Sequence, residues 1–236
     1  MSRNVRLGVI IPSGNVILEP DFYRMCPKGV SIHAVRIPLF QVTEEGIRNL
    51  AKEAPKKAQL LADAQVDVIG FGCTGGSFYG GIGYDKEIIK SIQETVGIPT
   101  TTTSTAVVEA FKRIGAKKVS IATPYEEWLD KREKEFFEAN GFKVLNIEGL
   151  KKRTADEIAN VSPEEIYRFG KRVCKPDADC LFISCTDFRA VETINDLEND
   201  LEKPVITSNQ ATCWMMLRMA GVKRRIEGFG KLLTLV

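Results

Sequence analysis

Asp67-Val68-Ile69-Gly70-Phe71-Gly72-Cys73-Thr74 and Asp179-Cys180-Leu181-Phe182-Ile183-Ser184-Cys185-Thr186 are one short pattern written twice, 112 residues apart. Each is an acid, an apolar run of the length of a buried strand, then a cysteine and a threonine. The same offset joins Arg6-Leu7-Gly8-Val9-Ile10-Ile11-Pro12 to Lys118-Val119-Ser120-Ile121-Ala122-Thr123-Pro124. A third pair, Pro99 to Ala106 against Pro204 to Ala211, follows at an offset of 105, as a loop deletion would give. Separated blocks sharing an offset point to an internal repeat. The chain is therefore read as two pseudo-symmetric lobes, residues 1–100 with 208–236 and residues 101–207. No Pro- or Ser-rich linker separates them, so they are expected to be tightly apposed.

Around these blocks, short apolar runs alternate with amphipathic stretches. Strands are expected at Val5–Ile11, Val30–Ile37, Val66–Gly72, Thr100–Thr103, Val119–Thr123, Lys143–Ile147, Cys180–Ser184 and Val205–Thr207. Helices are expected at Glu44–Ala64, Asp85–Val96, Thr105–Ile114, Glu126–Asn140, Pro163–Cys174, Ala190–Leu201 and Ala211–Ala220. Thr43 and Ser162 supply start signals, and Gly115, Gly141 and Gly221 supply stops. Such alternation means parallel strands covered by helices. The fold class is α/β, with a four-stranded parallel sheet in each lobe and the site in the cleft between them.

Composition excludes several kinds of function. With 44% hydrophobic residues among 236, the chain can build a true core. Lys and Arg number 33 against 31 acids, and neither sign forms a long run, which argues against a nucleic-acid surface or a polybasic membrane surface. No apolar stretch reaches the ~18 residues of a bilayer span, and the first residues lack a secretory pattern. A cytoplasmic protein is expected. A single histidine, His33, rules out a site with several His ligands. Six cysteines without a C-x-x-C pair resemble neither a zinc knuckle nor a disulfide framework. No metal site is expected; cysteine chemistry here would be thiol chemistry.

In open parallel sheets, ligands bind beyond the carboxyl ends of the strands. Cys73 and Cys185 both stand there, each followed by a threonine, Thr74 and Thr186. A two-fold relation between lobes would bring the two thiols to opposite sides of one substrate. A free thiol titrates near ~8.5, and two neighbours cannot both ionise easily, so one is expected as base or nucleophile and the other as acid. Gly75 and Gly76 allow close backbone approach. Ser13, Asn15 and Tyr125 follow the first strands of the two halves, and Asn209 follows the last; their donors suit a carboxylate. Arg189 is open between a substrate carboxylate and a surface salt bridge. Cys26, Cys174, Cys180 and Cys213 read as packing or surface.

These residues also carry a resemblance. Gly72-Cys73-Thr74-Gly75-Gly76-Ser77-Phe78-Tyr79, Thr102-Thr103-Ser104-Thr105-Ala106, Ala122-Thr123-Pro124-Tyr125, Ser184-Cys185-Thr186 and Pro204-Val205-Ile206-Thr207-Ser208-Asn209-Gln210-Ala211 resemble the aspartate/glutamate racemase superfamily. The branch is the one holding maleate cis–trans isomerases and arylmalonate decarboxylases. The resemblance implies a two-lobed α/β fold and cofactor-independent chemistry between two opposed positions. Maleate isomerases have cysteines at the positions of Cys73 and Cys185; the first adds to the alkene and the second handles the proton. Their carboxylate-binding asparagine and tyrosine match Asn15 and Tyr125. Arylmalonate decarboxylases keep only the second cysteine, and Gly75 replaces a serine of their oxyanion pocket. Ala155 stands where the isomerases carry a further asparagine, and Cys185-Thr186-Asp187-Phe188-Arg189 is similar to a subgroup named for ectoine utilisation.

The expected activity is thus isomerisation of a small carboxylate, maleate first, with Cys73 and Cys185 catalytic. Asn15, Ser13, Thr74, Gly75, Tyr125, Thr186 and Asn209 are expected to bind substrate. Decarboxylation of a disubstituted malonate, racemisation of an amino acid or hydantoin, and plain binding of a small acid are the alternatives. A homo-oligomer, a dimer in the simplest case, is compatible with the sequence.

Overall fold

The computed structural model describes residues 4–235; residues 1–3 and 236, which the expected lobe bounds include, lie outside the described residues. In chain order the elements are β1 (Val5–Pro12), α1 (Leu18–Met25), β2 (Val30–Ile37), α2 (Glu44–Asp63), β3 (Val68–Phe71), α3 (Thr74–Phe78), α4 (Tyr84–Val96), β4 (Thr100–Thr102) and α5 (Thr103–Ile114). There follow β5 (Lys118–Thr123), α6 (Glu127–Ala139), β6 (Lys143–Gly149), α7 (Ala155–Ala159), α8 (Pro163–Val173), β7 (Cys180–Ile183), α9 (Ile194–Leu201), β8 (Val205–Thr207), α10 (Ser208–Met219) and α11 (Gly230–Leu233).

The strands form two parallel sheets, ordered β2-β1-β3-β4 and β6-β5-β7-β8. The duplication extends to the register. Leu7 lies opposite Val68 through Ile10 opposite Phe71, and 112 residues later Val119 lies opposite Cys180 through Ala122 opposite Ile183. Even the acid that begins each block does the same job: Asp67 accepts the Arg6 N–H and Asp179 the Lys118 N–H. β3 and β7 are buried along their whole length, as central parallel strands covered on both faces must be.

Local chemistry explains the flanking helices. In α2, Ile47, Leu50, Ala51, Ala54, Ala58 and Leu61 recur at helical spacing and are buried, and the Thr43 hydroxyl accepts the Gly46 N–H at its start. In α8, Ile166, Phe169, Gly170 and Val173 face inward behind a Ser162 cap and Pro163. Phe111, Phe137, Phe142 and Phe182 interlock in the second lobe, with ring centroids 5.1–5.7 Å apart. Four short helices, α1, α3, α7 and α11, were not expected from periodicity, because 4–8 residues offer too few turns for a pattern.

The lobe bounds differ in detail from expectation. β4 pairs with β3 as far as Thr102, so the first sheet runs past residue 100. The C-terminal segment docks on the second lobe: Gly230 N–H donates to Asn195, and Lys231 N–H to Glu198. Leu232 and Leu233 must be buried, and the surface beside α9 is where they find cover.

At the end of β6, the chain folds back on the β5 exit: Leu150 N–H donates to Thr123 O, and Lys151 N–H to Tyr125 O. A Cβ on Gly149 would sit 2.2 Å from the Tyr125 carbonyl oxygen and 2.5 Å from Asp130 Oδ2. Backbone cannot give way as a flexible side chain can. Gly149→Ala is expected to cost about 1–3 kcal/mol, seen as a lower urea midpoint with an unchanged m-value.

Candidate active site

The cavity between the sheets is built from strand ends. β1 delivers Pro12 and Asn15, β3 delivers Cys73, Thr74 and Gly75, β5 delivers Tyr125, and β7 delivers Cys185, Thr186 and Asp187. Leu39, Phe40, Val42, Ile47, Leu129, Ala155 and Ile158 close it with an apolar wall. The space is small, with about 50 Å³ open to the centres of water-sized molecules. Among the described residues lining it there is no Lys, Arg or His.

The two cysteines hold equivalent positions but not equivalent conformations. Cys73 has φ −145° and caps α3, its sulfur accepting the Gly76 N–H at 3.3 Å. Cys185 has φ +95°, a region non-glycine residues avoid, and a turn rather than a helix follows it. Two contacts hold that conformation: Cys185 N–H donates to Ser208 Oγ at 3.0 Å, and the Cys185 sulfur accepts the Asp187 N–H at 3.4 Å. The Tyr125 side chain beside Cys185 favours its thiolate.

Burial pushes the Cys73 thiol up to about 11, against the pull of the Gly76 N–H and with help from the Asp187 charge. Burial raises Cys185 further, again with Asp187 adding to the effect. Desolvation outweighs one or two weak N–H···S bonds, so both thiols are held above their ordinary range. The asymmetry persists, with Cys73 the easier to ionise. Tyr125 is also raised well above its ordinary value by burial, and stays a neutral donor.

The remaining expected residues fall into two groups. Asn15, Thr74, Gly75, Tyr125 and Thr186 line the cavity with the cysteines. Asn15 Nδ2 donates to Thr186 Oγ1 at 3.0 Å, which in turn donates to Gly72 O, joining the lobes across the site. Ser13 and Asn209 do not line it. Ser13 is exposed, and its hydroxyl accepts the Leu39 N–H. Asn209 lies one layer back, donating to Asp21 Oδ2 at 2.8 Å and Thr186 O at 3.0 Å. Arg189 pairs with Glu192 at 3.1 Å, which settles it as a surface ion pair.

Sequence reasoning missed Asp187, Ser208 as a tether, and the apolar wall. Asp187 Oδ1 accepts the Val16 N–H at 2.8 Å and so fastens the second lobe to the entry of α1. Its place directly after Cys185-Thr186 was the available signal. Ser208 Oγ accepts from both Cys185 N–H and the Thr74 hydroxyl. The wall residues come from the β2–α2 connection, α2, α6 and α7, and nothing in their local sequence marks them.

Three buried acids surround this framework. Loss of water pushes Asp21 and Asp187 up to about 7, and Asp130 up to about 6. Each holds a proton that the unfolded chain has already released between pH 4 and 7, so stability falls as pH rises through that window. Urea midpoints are expected to drop from pH 5 to pH 7.5. Asp21→Asn is expected to flatten the drop by up to about 1.4 kcal/mol per pH unit, one proton's worth.

The fold agrees with that of the chain's relatives. The sequence profile of arylmalonate decarboxylase matches residues 7–233. Maleate isomerase of Alcaligenes faecalis is 26% identical over 98% of this chain and 97% of its own. Arylmalonate decarboxylase of Bordetella bronchiseptica is 26% identical over 96% and 95%, respectively. The crystal structure of the maleate isomerase Iso from Pseudomonas putida S16 superposes with a TM-score of 0.94 at 25% identity, covering 98% of both chains. Among the described residues no helix is long and apolar enough to cross a membrane. With residues 7–233 matched in sequence and 98% of its length matched in fold, the chain belongs to the arylmalonate decarboxylase family.

Proposed function

We propose that this protein is a cofactor-independent isomerase of a small carboxylate, with maleate-to-fumarate conversion the first candidate. The observation that carries the reading is a thiol from each lobe in the wall of one cavity. Cys73 is the nucleophile, because its thiol is the less strongly raised and the Gly76 N–H stabilises its thiolate. Its sulfur bonds to one alkene carbon while the π electrons move to the other, delocalised into the adjoining carboxylate. That carbon takes the Cys185 proton. The central bond, now single, rotates; the Cys185 thiolate removes a proton, the C–S bond breaks, and fumarate leaves. Tyr125 and the Asp187 N–H stabilise the Cys185 thiolate while it lasts. Asn15, Thr74, Gly75 and Thr186 supply the polar end that receives a carboxylate, and Asn209 holds Thr186 in place from behind.

The apolar wall supports a second reading. An aryl or alkyl group would fit Leu39, Val42, Ile47, Ala155 and Ile158 better than a second carboxylate would. The reaction would then be decarboxylation of a disubstituted malonate, with Cys185 protonating the resulting enediolate.

Proton NMR in D2O with maleate and a phenyl-substituted malonate separates the two. Isomerisation requires fumarate to appear, and Cys73→Ala to abolish it. Decarboxylation requires CO2 release that survives Cys73→Gly and is lost with Cys185→Ala. Cys185→Ser is expected to slow isomerisation by roughly 10²–10⁴-fold. Since Cys73 titrates at about 11, kcat/KM for maleate is expected to rise about tenfold per pH unit from pH 8 to pH 10. A profile that is flat there would place the nucleophile elsewhere.

A further inference from the structure

Four cysteines take no part in the cavity, and two of them meet. Cys26 and Cys213 are 187 residues apart in sequence, yet their sulfurs stand 3.7 Å apart where α1 packs on α10. Both are free thiols. Cys213 is fully enclosed in the middle of α10, whereas Cys26 is half-buried at the C-terminal end of α1 and open to a small reagent.

The seam they sit in is the one that supports the site. Asn209, one turn before Cys213 on α10, binds Asp21 of α1 with the same side chain that holds Thr186. α1 in turn begins at the loop carrying Asn15.

We propose that Cys26 and Cys213 form a reversible oxidation site, at which a hydroperoxide-class oxidant converts the two thiols to a disulfide that ties α1 to α10. The Cys26 sulfur gives an electron pair to the terminal peroxide oxygen; the O–O bond breaks, water leaves from hydrogen peroxide, and Cys26 becomes a sulfenic acid. The Cys213 sulfur then attacks the Cys26 sulfur and loses its proton. The S–O bond breaks, and a second water leaves with that proton. Two electrons pass from the thiol pair to one peroxide. The sulfurs must close from 3.7 Å to about 2.05 Å. The movement falls to Cys26, whose half-buried side chain stands at the end of its helix, whereas Cys213 is fully enclosed in the middle of α10. In a compartment that keeps thiols reduced, such a bond is transient rather than structural.

The test is peptide mapping of the folded protein after hydrogen peroxide treatment, followed by alkylation with iodoacetamide in denaturant. The expected result is a Cys26–Cys213 linked peptide pair, two hydrogens lighter than its parts, that disappears on treatment with dithiothreitol. Cys26→Ser and Cys26→Ala proteins, unchanged in basal activity, are expected to yield no linked pair and a fully alkylated Cys213. Separate alkylation of Cys26 and Cys213 in treated wild-type protein would overturn the proposal. So would Cys26 over-oxidised beside a free Cys213, or Cys26 joined to any other cysteine.

Discussion

A single hydroxyl knots the molecule together. Ser208 Oγ, in the first turn of α10, accepts both the Cys185 N–H and the Thr74 hydroxyl. One of these comes from the turn after β7 and the other from the first residue of α3, just past β3, so the strand ends of both sheets are referred to one atom. The Cys185 conformation depends on it: a φ of +95° in a residue with a Cβ persists only where its surroundings over-determine it. With α10 seated against α1 and α5, the knot is set in a core that runs continuously through both lobes. The lobes are therefore fixed against each other by packing, while the cavity between them is left as the place where packing is incomplete.

From that constraint comes the broken symmetry of the site. The duplicated blocks agree in strand register, in the acid that opens each block and in the capping threonines, Thr102 and Thr207. They part company at the cysteines. Each sulfur receives one backbone N–H, but Cys73 starts a helix, whereas Cys185 turns away into a loop beside Asp187 and Tyr125. Two like thiols in a like frame thus acquire different acidities, and a reaction that adds at one carbon and moves a proton at the next needs such a difference.

The electrostatics are those of a dry site. Among the described residues no cation lines the cavity, and Asp187 holds both thiols up. Nearby, Glu133 is fully enclosed; its carboxyl accepts the Ser184 hydroxyl at 2.7 Å and is driven toward the neutral form by burial. Hydroxyls, amides, thiols and the Asp187 carboxyl make up the polar surface of the cavity. Such groups stabilise charge that appears briefly during reaction at little cost while the site is empty.

The sequence alone determined the architecture. Strand runs and their repetition at a constant offset are local and additive, so all eight strands, the longer helices and the doubled plan were legible from the order of residues. The positions of Cys73 and Cys185 at strand ends came with them. Tertiary structure alone decided which polar side chains reach the cavity and which stand behind it. Asn15 and Asn209 look alike in sequence, yet one lines the space and the other braces Thr186. The apolar wall, the Ser208 tether and the raised pKa values share the same origin. Each depends on atoms that are distant in the chain and close in space, and on the exclusion of water that only their assembly brings about.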